Sequence, residues 1–386
     1  MIIQSDAIYT EKGKYSGYME IENGHFIRFF DKLPKQEAVL DYRGCLILPG
    51  FIDIHTHGYD GHHAQAVDKQ ELIALKKSMT KAGVTGFLPT AGAHFEQEYD
   101  NLKQLADCIE EQDFDHPIGA QMLGIHMEGP FLNPERRGAF QPYQLLPADI
   151  QKASAYLEAS RHHIVYMALA PELDPDGKLI QYLKEQGVKT AGAHTTASYE
   201  EYERGIQQGL SASTHTGNGM CQIDRRNVGA LGAALLNDDL YCEAICDFHH
   251  VDPRMLDIMF RVKKDGCRKF IMISDSTEVS GLPKGTYTSD GMQVTIQDNG
   301  LILDEEGTIM GSAHDVLYGF QNLKNKMKLP IEDILMMTSL NPASLLGIAD
   351  HKGSILENKD ADFIILNQKD ELLATYVQGK CVYQKA

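Results

Sequence analysis

Six places in this chain set imidazole or carboxylate at the end of a short apolar run. Leu46–Ile54 leads into His55-Thr56-His57, Gln121–His126 into Met127-Glu128, and Val188–Ala193 into His194. Leu210–Thr214 leads into His215, Tyr241–Phe248 into His249-His250, and Lys269–Ser274 into Asp275. Residues two apart in a strand point the same way, so His55 and His57 can converge on one centre. Neutral imidazole and carboxylate oxygen are the donors that zinc takes, and a catalytic site leaves one position open to water. A single histidine in such a place is more often a hydrogen-bonded structural residue. Coincidence at six ends is what points to a divalent metal site. His62, His63, His94, His162 and His163 read as surface or supporting residues. Of the His249–His250 pair only one can face inward, and we take it to be His250.

These groups need a scaffold that gathers strand ends at one mouth. Two further apolar runs, Thr85–Pro89 and His163–Leu169, bring the total to eight, each short enough for a strand buried on both faces. Helix punctuation lies between them. Asp68-Lys-Gln-Glu71 and Ser198-Tyr-Glu-Glu201 have the capping-box pattern, Asp252-Pro253 supplies an N-cap with proline behind it, and Asn341-Pro342 opens another helix. Gly83, Gly209 and Gly266 can close the helices before them. Eight strand–helix units predict an α/β fold, a TIM-type (β/α)8 barrel with its site at the C-terminal strand ends. A doubly wound open sheet competes, but it normally carries a glycine-rich phosphate turn after its first strand, and here that place holds His-Thr-His. Residues 1–48 and 353–386 read instead as short strands and turns, which predicts a small β-sandwich domain built from both chain ends around a barrel of residues 49–352.

Composition narrows the function classes. Lys plus Arg is 36 and Asp plus Glu is 54, a formal net charge of −18. Nucleic-acid binding depends on clustered cations that neutralise phosphates, and docking on anionic lipid needs the same, so neither is expected. Met1 leads directly into Ile-Ile-Gln-Ser-Asp without a basic and then apolar leader, and no run approaches the ~18 apolar residues of a spanning helix. Seven cysteines, an odd number without regular spacing, read as reduced thiols of a cytoplasmic protein.

The motifs around the strand ends resemble those of the amidohydrolase superfamily. Leu48-Pro-Gly-Phe-Ile-Asp-Ile-His-Thr-His-Gly58 is similar to its first-strand signature. Gly124-Ile-His-Met-Glu-Gly-Pro-Phe-Leu-Asn133 resembles the third-strand motif of the N-acetylglucosamine-6-phosphate deacetylase family, and His194-Thr-Thr, Thr214–Met220, Phe248–Pro253 and Ser274-Asp-Ser276 follow in that family's order. The resemblance implies Glu128, His194 and His215 as principal metal ligands, with His55 and His57 able to hold a second ion. Zinc is the first expectation, and iron, manganese or cobalt would suit the same donors. It further implies Asp275 as catalytic acid and base and His250 as the histidine beside the scissile amide. Ala139, Phe140, Asn218, Gly219, Arg226, Ile309, Met310 and Gly311 fall where the family binds its amino-sugar phosphate. The working form would be a homo-oligomer, a homodimer in particular.

The substrate side departs from the family's pattern. Phe140 replaces a customary histidine, Thr216-Gly217-Asn218-Gly219-Met220 replaces Leu-Phe-Asn-Ala-Met, and Glu278 stands in a usually apolar loop. A related substrate, N-acetylgalactosamine 6-phosphate or another N-acyl compound, therefore stays open beside N-acetylglucosamine 6-phosphate. The Glu128 motif argues against a deaminase or cyclic-amide hydrolase. Intact Glu128, His194, His215 and Asp275 argue against a barrel without activity.

Overall fold

The computed structural model describes residues 1–33, 38–92, 97–289 and 291–385. His94 lies outside the described residues. Eight parallel strands form the barrel: β1 (Phe51–Thr56), β2 (Val84–Ala91), β3 (Ile125–Glu128), β4 (Ile164–Leu169), β5 (Lys189–Gly192), β6 (Leu210–Ser213), β7 (Tyr241–Ile245) and β8 (Phe270–Ile273). Each pairs in parallel with the next. Closure comes just past the end of β8, where the Asp275 N–H donates to the His55 carbonyl (3.0 Å) and the His57 N–H to the Ser276 carbonyl (2.7 Å). The seam of the barrel thus runs through the residues singled out for chemistry. Ile52, Ile54, Leu88, Ala191, Ala212, Ile245, Ile271 and Ile273 fill the interior as one apolar cluster.

Local chemistry explains most of the helices and corrects some expectations. Ser198 and Glu201 form the expected reciprocal capping box before the helix Tyr199–Gln208, and Asp252 caps Pro253–Val262. Asp68 does cap Lys69–Met79, but Glu71 does not reach back. Its carboxylate meets His62 Nδ1 at 3.0 Å instead. Asn341-Pro342 does not open a separate helix: Ile331–Leu335, a π-type turn Met336–Leu340 and Asn341–Leu346 run on continuously. Proline lacks the N–H that an α-helix would direct at residue 338, and a wider turn accommodates that loss.

The apolar run Leu46–Ile54 proves to be two strands. Leu46–Pro49 pairs antiparallel with Phe363–Leu366, and only after Gly50 does β1 begin. A Cβ at Gly50 would lie 2.1 Å from the Thr85 hydroxyl oxygen, so this junction requires glycine. Leu46–Pro49 belongs to an eight-stranded sheet made from both chain ends, with Ile2–Thr10, Gly13–Glu22 and His25–Phe30 on one side and Phe363–Leu366, Leu372–Val377 and Lys380–Gln384 on the other. Ile3, Ile8, Met19, Phe26, Ile47, Phe363 and Ile365 share its core. A four-stranded antiparallel sheet after β8 was not foreseen: Thr286–Ser289, Met292–Ile296, Leu301–Asp304 and Ile309–Ser312. Its last strand returns to the barrel, where the Ser312 N–H donates to the Asp275 carbonyl (3.0 Å). Among the described residues no helix is long and apolar enough to cross a membrane.

Candidate active site

Glu128, the last residue of β3, stands at the centre of the mouth, and each carboxylate oxygen serves one pair of histidines. Oε1 lies 3.2 Å from His194 Nε2 and 3.3 Å from His215 Nε2. Oε2 lies 3.2 Å from His57 Nε2 and 3.5 Å from His55 Nε2. Asp275 Oδ1 closes the second group at 3.4 Å from His55 Nε2 and 3.5 Å from His57 Nε2. The expected ligands therefore converge as two triads that share Glu128. His194, His215 and Asp275 lie beyond their strands, with φ of 43°, 28° and 50°. Left-handed backbone at non-glycine residues is strained, and it persists where the surroundings over-determine it. Here it turns three side chains back over the barrel.

Electrostatics holds the cluster together. Burial pushes the Glu128 carboxyl up, but the His55 charge and hydrogen bonds from His194 and His215 outweigh it and hold it well below the usual carboxylate range. Asp275 is likewise pushed up by burial and carried well down by His55 and His57. His57 resists the downward pull of burial through Asp275 and Glu128 and is pushed up to about 9. A divalent cation fits this donor set. His194 Nε2 and His215 Nε2 face each other at 3.1 Å, and buried His55 Nε2 has no hydrogen-bond partner. Imidazole nitrogens and carboxylate oxygens converging without protein between them suit zinc, and suit iron, manganese or cobalt as well.

The outer ring nitrogens are also held. His194 Nδ1 donates to the Arg136 carbonyl (2.7 Å). His55 Nδ1 donates to Glu243 Oε2 (3.2 Å), the same oxygen that accepts from the His215 backbone N–H (3.0 Å), while Glu243 Oε1 accepts from the Tyr166 hydroxyl (2.6 Å). His250 Nδ1 donates to Asp247 Oδ2 (2.7 Å), which leaves His250 Nε2 buried without a partner. Sequence reasoning passed over Glu243 and Asp247. The signal for Glu243 was available, since it is the one charge inside the apolar strand Tyr241-Cys-Glu-Ala-Ile245. His126 stands under the centre rather than in it: its ring lies 4.5 Å from that of His55, and burial takes its pKa well below the ordinary histidine value.

The metal-side residues form the floor of an open cavity of about 1220 Å³. Ala139, Phe140, Asn218, Gly219, Ile309, Met310 and Gly311 all line it, as does His250. Phe140 meets the His194 ring edge-on, with centroids 5.3 Å apart. Glu278 lies in the wall, and so does His63, which the sequence suggested was a surface or supporting residue. The four-stranded sheet forms one flank through Ser289, Met292 and Ile309–Gly311. His249 is exposed and lies beside His314, away from the cavity. Arg226 is not brought to the cavity: it is exposed, and its backbone N–H donates to Asp224 (3.0 Å). Among the described residues no Lys or Arg lines the cavity.

Residues 46–382 match the model of the amidohydrolase family. The N-acetylglucosamine-6-phosphate deacetylase of Bacillus subtilis (strain 168) is 31% identical, over 99% of this chain and 97% of its own. The N-acetylgalactosamine-6-phosphate deacetylase of Escherichia coli O157:H7 is 28% identical over 98% of both. Among solved structures, the N-acetylglucosamine-6-phosphate deacetylase of Thermotoga maritima is similar with a TM-score of 0.87 at 27% identity, covering all of both chains. That of Pasteurella multocida gives 0.91 at 25%, over 100% of this chain and 99% of the other. With the barrel, the histidine pairs and the shared glutamate in place, this chain belongs to the amidohydrolase family.

Proposed function

We propose that this chain hydrolyses the N-acetyl group of an N-acetylated amino-sugar phosphate, N-acetylglucosamine 6-phosphate first, to acetate and the free amine. The observation that carries the reading is Glu128 shared between two histidine pairs, with Asp275 beside one of them at the floor of an open cavity. A divalent cation held by Glu128, His194 and His215, with a second at His55 and His57, would supply Lewis acidity that brings the pKa of water from ~15.7 towards ~7. Asp275 stays ionised at neutral pH, so it can take a proton from the attacking water. It then returns that proton to the departing nitrogen, which is a poor leaving group until protonated. Asp247 orients His250 through Nδ1, and the ring lines the cavity, where it would sit beside the scissile amide.

The reading extends to zinc as the ion, which the histidine and carboxylate donors suit, to action in the cytoplasm, which seven unpaired cysteines suit, and to a homo-oligomer. Arg226 is its candidate for the phosphate. It is exposed and lies outside its own chain's cavity, so only the planar fork that suits phosphate oxygens supports it in that role.

The test is acetate release by metal-loaded protein from N-acetylglucosamine 6-phosphate, N-acetylgalactosamine 6-phosphate, unphosphorylated N-acetylglucosamine and N-acyl amino acids. Turnover of the first should lead. A preference for the galactosamine isomer would move the reading to that sugar, and no acetate from any would refute it.

A further inference from the structure

We infer that Glu243 is the positioning residue that builds the second ion site and couples it to the first. The inference rests on the two-triad reading of the centre but not on the identity of the substrate. Glu243 is fully buried in β7, inside the barrel and below the metal-side floor. A lone carboxylate in that place is costly unless its oxygens are satisfied, and each of them is. Oε1 accepts from the Tyr166 hydroxyl, and Oε2 accepts from both His55 Nδ1 and the His215 backbone N–H.

The consequence for His55 is a fixed tautomer. With Nδ1 committed to Glu243, Nε2 is the nitrogen turned towards Glu128 and Asp275, and its lone pair is the one that a cation bound there would take. A carboxylate behind a ligating imidazole also raises its basicity and fixes its ring plane. Neither His55 nitrogen has an alternative: Nδ1 has no other acceptor, and Nε2 is without a hydrogen-bond partner. The same oxygen holds the backbone of His215, a residue of the other triad whose φ of 28° needs support. One carboxylate therefore braces a ligand from each side of Glu128. The packing of the His126 ring against both His55 and Tyr166 closes the space around this brace.

Two substitutions separate geometry from charge. In Glu243→Gln the amide oxygen can accept from His55 and the His215 N–H while the amide NH2 donates to Tyr166. Glu243→Met keeps the volume and removes every acceptor. Zinc titration of each full-length protein should show two ions in wild type. For Glu243→Met, affinity at the weaker site should fall by about 10- to 100-fold or more, the range for lost support behind a ligand. Glu243→Gln should fall between the two, rescued in part because it restores orientation without charge. Histidine 15N NMR of the zinc-loaded protein should show His55, like His194, with a protonated Nδ1 and a metallated Nε2, and the His55 signature should be lost in Glu243→Met while that of His194 remains. Two ions bound with wild-type affinity in both variants overturn the inference, and so does a wild type that hydrolyses its substrate with one ion only. If instead no substrate is turned over yet the second ion depends on Glu243, the deacetylase reading fails and this one stands.

Discussion

Glu128 is asked to serve four imidazoles with two oxygens, and its replacement separates ligation from shape. Glu128→Gln keeps the volume but turns one oxygen into a donor facing histidine nitrogens, so bound metal and hydrolysis should both be lost while circular dichroism is unchanged. Retention of full metal content would remove Glu128 from the centre. Asp275→Asn tests proton transfer, because an amide cannot accept the proton that the carboxylate takes. Turnover should drop by at least ~10²-fold, the lower end for a general acid–base group. Near-normal turnover would hand that role to another base, and Glu278 in the cavity wall is the nearest in character. These residues were legible from sequence because imidazole after an apolar run is conspicuous. Their supports were not, since Glu243 and Asp247 act on the ring nitrogens that face away from the cavity. The backbone carbonyl of Arg136, which holds His194, leaves no trace in residue type at all.

At the scale of elements, Gly50 does what the apolar pattern hid. Leu46–Ile54 reads as one strand because both halves are apolar, yet Leu46–Pro49 serves the terminal sheet and Phe51–Thr56 the barrel. Gly50→Ala drives a methyl group into Thr85 and should cost about 1–3 kcal/mol, as overpacking does. Combining it with Thr85→Ser should recover part of that loss, read as a non-additive double-mutant cycle in denaturant unfolding. The helix Lys69–Met79 carries the opposite kind of fault. Lys76 lies on its buried face, and burial pushes its pKa down to about 8 from 10.5. The unfolded chain therefore holds this proton when the folded chain has released it, and stability rises with pH from about 8 to about 10.5. Below pH 8 the full cost is present. At pH 7, Lys76→Met should stabilise by roughly 2–4 kcal/mol, since each pKa unit is about 1.4 kcal/mol, and the gain should shrink as pH approaches 10. The period of strands and helices was readable here because caps and breakers act locally. The sheet Thr286–Ser312 was not, because its strands are only four or five residues long and follow one another through tight turns, outside the strand–helix period by which the barrel strands announce themselves.

Over the whole molecule, the two chain ends reach the chemistry through one strand. Phe363–Leu366 pairs with Leu46–Pro49, which passes through Gly50 into β1 and so to His55 and His57. Phe363 is fully buried and stacks on Tyr376 with centroids 4.4 Å apart. Phe363→Ala should cost about 3–5 kcal/mol in equilibrium unfolding, the range for deleting a buried phenyl ring, although the residue lies outside the barrel. A loss under 1 kcal/mol would show that the terminal sheet is not part of the folding unit. The excursion that leaves after β8 differs from this in kind. Its strands run from Thr286 to Ser312, flank the cavity, and re-enter the barrel at Ser312, whose N–H donates to the Asp275 carbonyl and whose hydroxyl donates to Asp247. No ligand of either triad lies within it. These strands therefore form a separable flank of the proposed substrate cavity: transplanting them between homologues, with Ser312 kept to brace Asp247, would exchange that flank and leave both triads as they were.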